Sequence, residues 1–363
     1  MTRTRSYVTM HDVARAAGVS LKTVSNVVNG YRYLRPETKA KVEAAIESLG
    51  YRVNVTARNL RQGRTGRIKL VIPELRIPYF AELADSIVEE ASQRGLVVLL
   101  EQHRYDRSLE LGVLRGDGGN EVDGVLFSPV YAGQDDAELF AVDFPLVILG
   151  ESIFDAPCDH VSMRNIDGAR AMVEHLVALG RRRIAIIGFN ETPRVSSSTL
   201  RYKGAAAALR DAGLAVDPAL VTGSGAGRPV SLARAQWIRP TGTLLMAELL
   251  DAGANPDAVV CLNDALALGA LHELLRRGVR VPDDIAVIGF DNVEETQYTR
   301  PALSTIDPGR GEIAHLAVDM LCERMGLGDL DPATPPREIL ADFALVARES
   351  TLGRPAPSIP AGS

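Results

Sequence analysis

The chain has 363 residues, of which 46% are hydrophobic and 24% charged, so its composition excludes wholesale disorder and its length predicts more than one domain. Its three cysteines lie far apart, which disfavours a disulfide framework and a zinc finger. No apolar run approaches the roughly 20 residues of a membrane span, and none follows the basic N-terminus as a secretory signal requires, so we expect a soluble, cytoplasmic protein.

Charge is distributed unevenly along the chain. Residues 1–67 contain 13 basic and four acidic residues, a net charge of +9, whereas the remaining residues carry −15 and the whole chain −6. A basic segment of this size favours contacts with nucleic acid phosphates, which add affinity by releasing counterions. The alternative is a solvated basic surface, and charge alone does not decide between the two.

The basic segment has the start and stop signals of three short helices. Thr9 and Asp12 predict a capping box, Gly18 a tight turn, Ser20 an N-cap for a helix over 21–29, and Pro36 the first turn of a third helix that ends at Gly50. The apolar periodicity predicts a shared core, formed by Val13, Ala14, Ala17, Val24, Val27, Val28, Val42, Ile46 and Leu49. This order indicates a helix-turn-helix, although any small helical bundle gives a similar pattern.

Two stretches make the pattern specific: VTMHDVARAAGVS over 8–20 and TVSNVVNG over 23–30, continued by matching residues to position 65. They resemble the DNA-binding head of the lac repressor family of bacterial transcription regulators. The resemblance implies that the second helix enters a major groove and reads bases. The residues implied to read bases are Leu21, Lys22 and Asn26, and those implied to contact phosphate are Thr9, Ser25, Asn29 and Thr38.

Position 26 departs from the family pattern, which usually has arginine there. Asparagine pairs best with adenine, whereas arginine is a bidentate reader of guanine, so we predict an A·T pair where Asn26 points. The alternative is that Asn26 contacts only phosphate or water.

Residues 54–62 are too few and too polar to form a stable isolated helix. The family resemblance implies that they fold on operator DNA beside the same segment of a second copy. Leu60 would then enter the minor groove, with Asn54 at the start of the segment and Ala57 small enough for close approach. The alternative is a plain flexible linker.

From residue 68 onward, short β-rich runs alternate with helical stretches, which predicts doubly wound parallel sheets in two subdomains facing a cleft. This fold class matches the periplasmic binding proteins, whose architecture the family shares. The segment contains no dinucleotide fingerprint, Walker motif, nucleophile elbow or metal-spaced histidine pair, so we expect no enzyme, no cofactor and no metal site. The predicted divisions are a head over 1–53, a hinge over 54–67, a core over 68–350 and a tail over 351–363, with the core split into an N-subdomain (68–163 and 307–337) and a C-subdomain (164–306 and 338–350).

The resemblance also carries over an effector site by position. An arginine, carboxylates, an amide and aromatic rings suit a polyhydroxylated ligand. The implied residues are Tyr79, Phe80, Glu151, Arg201, Trp237, Asn263 and Asp291. Alternatives remain for three of them, because Trp237 also suits a core, Asp291 a loop cap and Arg201 a surface ion pair, and the alignment at Glu151 is loose. The family often has aspartate at the position of Arg164, which leaves the identity of the ligand open.

The predicted partners are palindromic operator DNA, a small sugar or sugar derivative, and a second copy of the chain. No leucine heptad follows the last strand, so we expect a homodimer and no coiled-coil tetramer. Effector binding would move the subdomains and change operator affinity, with the ligand acting as inducer or corepressor. The rival hypothesis is a small-molecule binding protein without a DNA function, which leaves the basic head unexplained.

Overall fold

The computed structural model describes residues 8–28, 31, 34–51, 64–116, 121–224, 236–331 and 333–353. The chain divides into two compact units, a first unit over residues 1–66 and a second unit over residues 67–363. Each unit has its own hydrophobic core, and each is described separately below.

The first unit contains three helices whose ends follow the local signals in the sequence. They are α1 (Met10–Ala17), α2 (Leu21–Val28) and α3 (Pro36–Leu49). The capping box at Thr9 is present, and Gly18 ends α1 in the left-handed conformation at φ 66°. Ser20 Oγ accepts a hydrogen bond from the Thr23 N–H at 3.1 Å, which confirms the predicted cap of α2.

The core of the first unit differs from the predicted core at the C-terminal end of α3. Val13, Val24 and Val42 are fully buried, as the periodicity predicts, but Leu49 is 37% exposed. Ala45 and Tyr51 are buried instead. The prediction for Leu49 was wrong because the chain turns after α3, and Tyr51 folds back into the space that a continued helical face would have filled.

The second unit contains two six-stranded sheets. The strands are β1 (Arg67–Ile72), β2 (Val97–Gln102), β3 (Gly124–Phe127), β4 (Leu146–Leu149), β5 (Asp159–Met163), β6 (Ile184–Asn190), β7 (Val221–Ser224), β8 (Ala258–Cys261), β9 (Ala286–Phe290), β10 (Ser304–Asp307), β11 (Glu338–Ala341) and β12 (Ala344–Val346). Their orders in the two sheets are β11-β5-β4-β3-β1-β2 and β12-β10-β9-β8-β6-β7, and each pairing is parallel except the antiparallel pair β10–β12.

Helices connect these strands and cover the sheets. They are α4 (Pro78–Gln93), α5 (Arg107–Leu114), α6 (Asn165–Ala178), α7 (Ser197–Asp211), α8 (Arg239–Asp251), α9 (Asp264–Arg276), α10 (Arg310–Arg324) and α11 (Glu349–Leu352). Strands such as β3 and β4 are buried at every residue, as expected for parallel strands covered on both faces. The predicted fold class, a helical head followed by two doubly wound parallel sheets, is confirmed.

We call the first sheet with its helices the first lobe and the second sheet with its helices the second lobe. The chain passes between the lobes after β5, after β10 and after β11. The predicted boundary after residue 337 was wrong by one strand, because β11 pairs with β5 in the first sheet. Asp159 explains this position, since its carboxylate accepts hydrogen bonds from the Arg337 N–H at 2.9 Å and from Arg337 Nη2 at 2.8 Å.

Within the described residues, no helix is long and apolar enough to cross a membrane. The same residues contain no group of three or more acidic, histidine or cysteine side chains arranged to hold a metal ion.

Candidate functional site

Helix α2 presents four of the predicted DNA-binding side chains on one side. Leu21, Lys22, Ser25 and Asn26 recur at helical spacing, and the opposite side of the helix is anchored by the fully buried Val24. Lys22 is exposed and the other three are partly exposed. The first unit therefore displays a cationic and amide-bearing face on the helix that follows the turn.

Two predicted phosphate-contacting residues lie at helix starts. Thr9 Oγ1 donates to Asp12 Oδ2 at 2.7 Å, and this bond together with that of the Thr9 N–H lowers the pKa of the Asp12 carboxyl. Thr38 lies in the first turn of α3 and is partly exposed. The other predicted DNA-binding residues, Asn29, Asn54, Ala57 and Leu60, lie outside the described residues.

The second unit contains a cavity of about 800 Å³ at the carboxyl ends of strands from both lobes. This is the edge at which doubly wound sheets bind ligands. The structure places all seven predicted effector residues in its lining: Tyr79, Phe80, Glu151, Arg201, Trp237, Asn263 and Asp291.

Arg201 is buried, at 3% exposure, so the alternative of a surface ion pair is excluded. Its Nε donates to Asn165 Oδ1 at 2.7 Å, and its Nη1 donates to the Leu262 carbonyl at 2.5 Å and to Asp291 Oδ1 at 3.4 Å. The guanidinium also lies 3.6 Å from the centre of the Phe290 ring, close enough for a cation–π contact. Arg201 therefore joins α7 to the ends of β8 and β9 and to the start of α6.

Trp237 and Asn263 are held by hydrogen bonds that orient them at the cavity wall. Trp237 Nε1 donates to the Gly188 carbonyl at 2.9 Å, and Asn263 Nδ2 donates to the Trp237 carbonyl at 3.3 Å. Asn263 Oδ1 also caps α9 by accepting from the Leu266 N–H at 2.9 Å. The indole lines the cavity with its ring while its N–H is satisfied inside the protein.

Asp291 is buried at the end of β9 with its backbone at φ 119°, a conformation that side chains with a Cβ rarely adopt. Burial raises the pKa of its carboxyl, and the positive charges of Arg201 and Arg310 oppose that shift. The neighbouring Asp264 carboxyl also has a pKa raised by burial and by the charge of Asp291. Asp291 in the cavity lining and Asp264 buried beside it are therefore protonated at higher pH than carboxyls in water.

Sequence reasoning did not assign a site role to several residues that line or support the cavity. Asn165 is buried and bridges two predicted residues, because its Nδ2 lies 3.3 Å from Glu151 Oε2 while its Oδ1 accepts from Arg201. Its position two residues after β5, at the start of α6, was the available signal, since residues after parallel strands face the ligand edge. Tyr105, Tyr131 and Arg194 also line the cavity, with the Arg194 guanidinium carbon 5.6 Å from the centre of the Tyr131 ring.

Two parts of the chain match known families. Residues 9–54 match the bacterial regulatory proteins of the lacI family, and residues 173–351 match the periplasmic binding protein-like domain. The chain is 31% identical over 319 residues to the HTH-type transcriptional repressor PurR of Haemophilus influenzae, a match that covers 87% of this chain and 91% of that protein.

Solved structures resemble the whole fold. One is a complex of the transcriptional regulator CelR with cellobiose, 28% identical, with a TM-score of 0.66 and coverage of 94% of this chain and 99% of that one. Another is the lac repressor dimer bound to operator and the anti-inducer ONPF, 27% identical, with a TM-score of 0.75 and coverage of 96% and 100%.

Proposed function

The chain belongs to the lacI family of bacterial regulatory proteins, which are DNA-binding transcriptional regulators and not enzymes, and we propose that it is a repressor whose operator affinity is set by a sugar-like effector bound in the cavity of its second unit. One observation carries the effector part of this proposal. Seven residues spread from position 79 to position 291 line a single cavity at the ligand edge of both sheets.

The chemistry of the lining supports a polyhydroxylated ligand. Tyr79, Phe80 and Trp237 offer ring faces that cover C–H surface, and Glu151 and Asn263 offer an acceptor and an amide that suit hydroxyl groups. The structure of the similar transcriptional regulator CelR is that of a complex with cellobiose, and this supports the same class of ligand for this chain.

The effector part is tested by thermal denaturation of the full chain with a panel of neutral monosaccharides, disaccharides and nucleosides. A ligand at 100 times its Kd stabilises the protein by about 2.7 kcal/mol, so a binder raises the Tm. We expect a saccharide to raise it, and we expect Trp237→Leu to reduce that rise while leaving operator binding intact. A panel in which only nucleosides raise the Tm contradicts the proposed ligand class.

The DNA part of the proposal assigns base contacts to Leu21, Lys22 and Asn26 and phosphate contacts to Thr9, Ser25, Asn29 and Thr38. The segment with Asn54, Ala57 and Leu60 would complete the grip in a homodimer on a palindromic operator, as the lac repressor dimer is bound to its operator. We place this complex in the bacterial cytoplasm, associated with the nucleoid through its operators.

Selection of bound sequences from a random double-stranded pool, followed by salt titration, tests this part. We expect a palindromic consensus and an affinity that falls steeply with salt, because log K decreases by about 0.9 per neutralised phosphate for each tenfold increase in salt. A salt-independent or sequence-independent interaction would contradict the assignment.

A further inference from the structure

An ion pair on the first lobe also contacts the second lobe. Arg310 Nη2 lies 2.7 Å from Glu82 Oε2, and both side chains are largely buried, at 20% and 26% exposure. The Glu294 N–H donates to Glu82 Oε1 at 2.9 Å, and Arg310 Nη1 donates to the Asp291 carbonyl at 3.0 Å. One ion pair therefore supports two further hydrogen bonds.

These two hydrogen bonds join the lobes. Glu82 lies on α4 and Arg310 on α10, and the two helices pack on each other and on the first sheet. Asp291 and Glu294 follow β9 in the second sheet. Any change in the angle between the lobes must therefore either carry the ion pair with it or break these bonds.

The second-lobe side of this contact is a rigid loop. The Val293 N–H donates to Asp264 Oδ2 at 3.0 Å, and Arg348 Nη2 donates to Asn292 Oδ1 at 2.8 Å. Asp291 has a φ value of 119°, a conformation that persists only where the surroundings enforce it, and Asn292 follows in the left-handed region at φ 48°. The loop therefore moves as part of the second lobe and does not yield on its own.

The same contact reaches the cavity from both sides. Helix α4 carries Tyr79 and Phe80 in its first turn, one turn before Glu82, and both line the cavity. Asp291, whose carbonyl binds Arg310, lines it as well and accepts from Arg201. A ligand that moves any of these groups acts directly on the ion pair.

We propose that the Glu82–Arg310 pair, with the 291–294 loop, is a lobe latch: a positioning contact that holds the two lobes in the arrangement seen here and couples cavity occupancy to operator affinity. With the latch closed or broken, the lobes have two arrangements in equilibrium. A ligand shifts this equilibrium only by the difference in its affinity for the two arrangements, and the latch sets the free energy of the closed one. The consequence for operator DNA rests on the proposed function, whereas the mechanical role of the latch does not.

Trp237 provides a direct readout, because it is the only tryptophan of the 363 residues and lines the cavity. The variant Glu82→Gln keeps the size of the side chain and the acceptor for the Glu294 N–H but removes the charge that holds Arg310. Arg310→Met removes the other partner. The matched control is Glu90→Gln on the same helix, whose carboxylate pairs with Arg94 and His315 inside the first lobe.

The first measurement uses the full chain without ligand. If the latch holds the lobes together, both Glu82→Gln and Arg310→Met let them separate and expose the cavity wall. We therefore expect both variants to shift the Trp237 emission to longer wavelength and to raise its acrylamide quenching. We also expect the Glu294 amide, drawn away from residue 82 with the second lobe, to lose protection from hydrogen exchange. Glu90→Gln keeps wild-type values. Equal quenching and exchange in Glu82→Gln and Glu90→Gln, with both variants folded by circular dichroism, would overturn the latch.

The second measurement titrates the operator recovered from the random pool. We expect the latch variants to change operator affinity by a factor within the range of about 5–150 that is typical of allosteric coupling, and the Glu90→Gln control to bind as wild type. Altered quenching with unchanged operator affinity would refute the coupling. If wild type itself bound no operator, the proposed function would fail, and the fluorescence and exchange data would still decide the latch.

Discussion

Replacement of Arg201 by methionine tests whether the cavity floor is held together by this buried guanidinium. The change keeps an unbranched side chain of similar length but removes the charge and the hydrogen bonds to Asn165, to the Leu262 carbonyl and to Asp291. A buried acceptor that loses its donor costs about 1–3 kcal/mol, so the first two losses together predict a destabilisation of about 2–6 kcal/mol.

The third loss makes the effect depend on pH. Burial already raises the pKa of Asp291 to about 7, and Arg201 is the largest influence that opposes the rise, so the variant has a still higher value. A carboxyl whose pKa is raised by folding loses stabilising free energy as the pH increases through that raised value. Below about pH 6 Asp291 is protonated in both folded proteins, and the variant is destabilised only by the lost hydrogen bonds. Above about pH 7 the wild-type carboxyl ionises beside Arg201, whereas the variant has to keep it protonated or ionise it without that partner, so the difference in stability between the two proteins grows with pH.

Urea denaturation of both proteins at about pH 6 and about pH 8.5 measures these contributions. The matched control is Arg170→Met on α6, because Arg170 is 36% exposed and pairs with Asp211 and Glu174 at the surface. Exposed pairs contribute about 0–1 kcal/mol, so the control should change little at either pH. The assigned role of Arg201 would be refuted if Arg201→Met lowered the free energy of unfolding no more than the control does, or if the decrease did not grow with pH.

Three further predictions follow from single positions. Asn26→Arg should change the selected base pair from A·T to G·C, because arginine pairs bidentately with guanine; an unchanged consensus in the random-pool selection would mean that Asn26 does not read a base. Gly188→Ala should destabilise the protein by about 1–3 kcal/mol or more in urea denaturation, since its Cβ would lie 2.3 Å from Leu266 Cδ1 at φ +103°. Gly213→Ala is the control for backbone strain, because Gly213 also has a positive φ, +71°, but a Cβ added there would meet no atom within 4 Å. An equal loss of stability in the two variants would exclude the contact with Leu266 as the cause. Trp237→Leu should lose most of the ligand-induced rise in Tm with operator affinity retained, and an undiminished rise would place the indole outside the ligand contact.

Local signals determined most of what the sequence predicted for the first unit. The Thr9–Asp12 capping box and the Ser20 cap depend on residues three positions apart, and such pairs are legible without knowing the fold. Leu49 shows the limit of this reasoning. Its helical periodicity is intact, but burial at that end depends on where Tyr51 packs after the helix stops, which periodicity does not encode.

In the second unit, the order of strands and helices predicts where the cavity lies but not which of its residues form hydrogen bonds with each other. Parallel strands bring their carboxyl ends to one edge, so residues that follow strands, such as Tyr79 and Asp291, converge there whatever their separation in sequence. Which of them bond to each other depends on side-chain positions set by packing. The Arg201–Asn165 bond and the placement of β11 beside β5 are contacts of this kind, and neither has a local signal.

The bonding of Arg201 changes how ligand recognition is divided within the cavity. Guanidinium has five N–H donors, and among the described residues the acceptors are Asn165, the Leu262 carbonyl, Asp291 and, for Nη2, the Met163 sulfur at 3.1 Å. One Nη2–H is left for a ligand, so Arg201 cannot grip vicinal hydroxyls in a bidentate manner without breaking a bond that joins strands. Hydroxyl recognition then falls to groups held less tightly, above all Glu151, whose contact with Asn165 is long at 3.3 Å. A ligand that draws on the bonds of Arg201 changes the ends of β8 and β9, and through Asp291 it reaches the 291–294 loop. A ligand that binds the rings of Tyr79 and Phe80 acts on Glu82 through the same helix. The two kinds of contact therefore act on the lobe latch from opposite lobes.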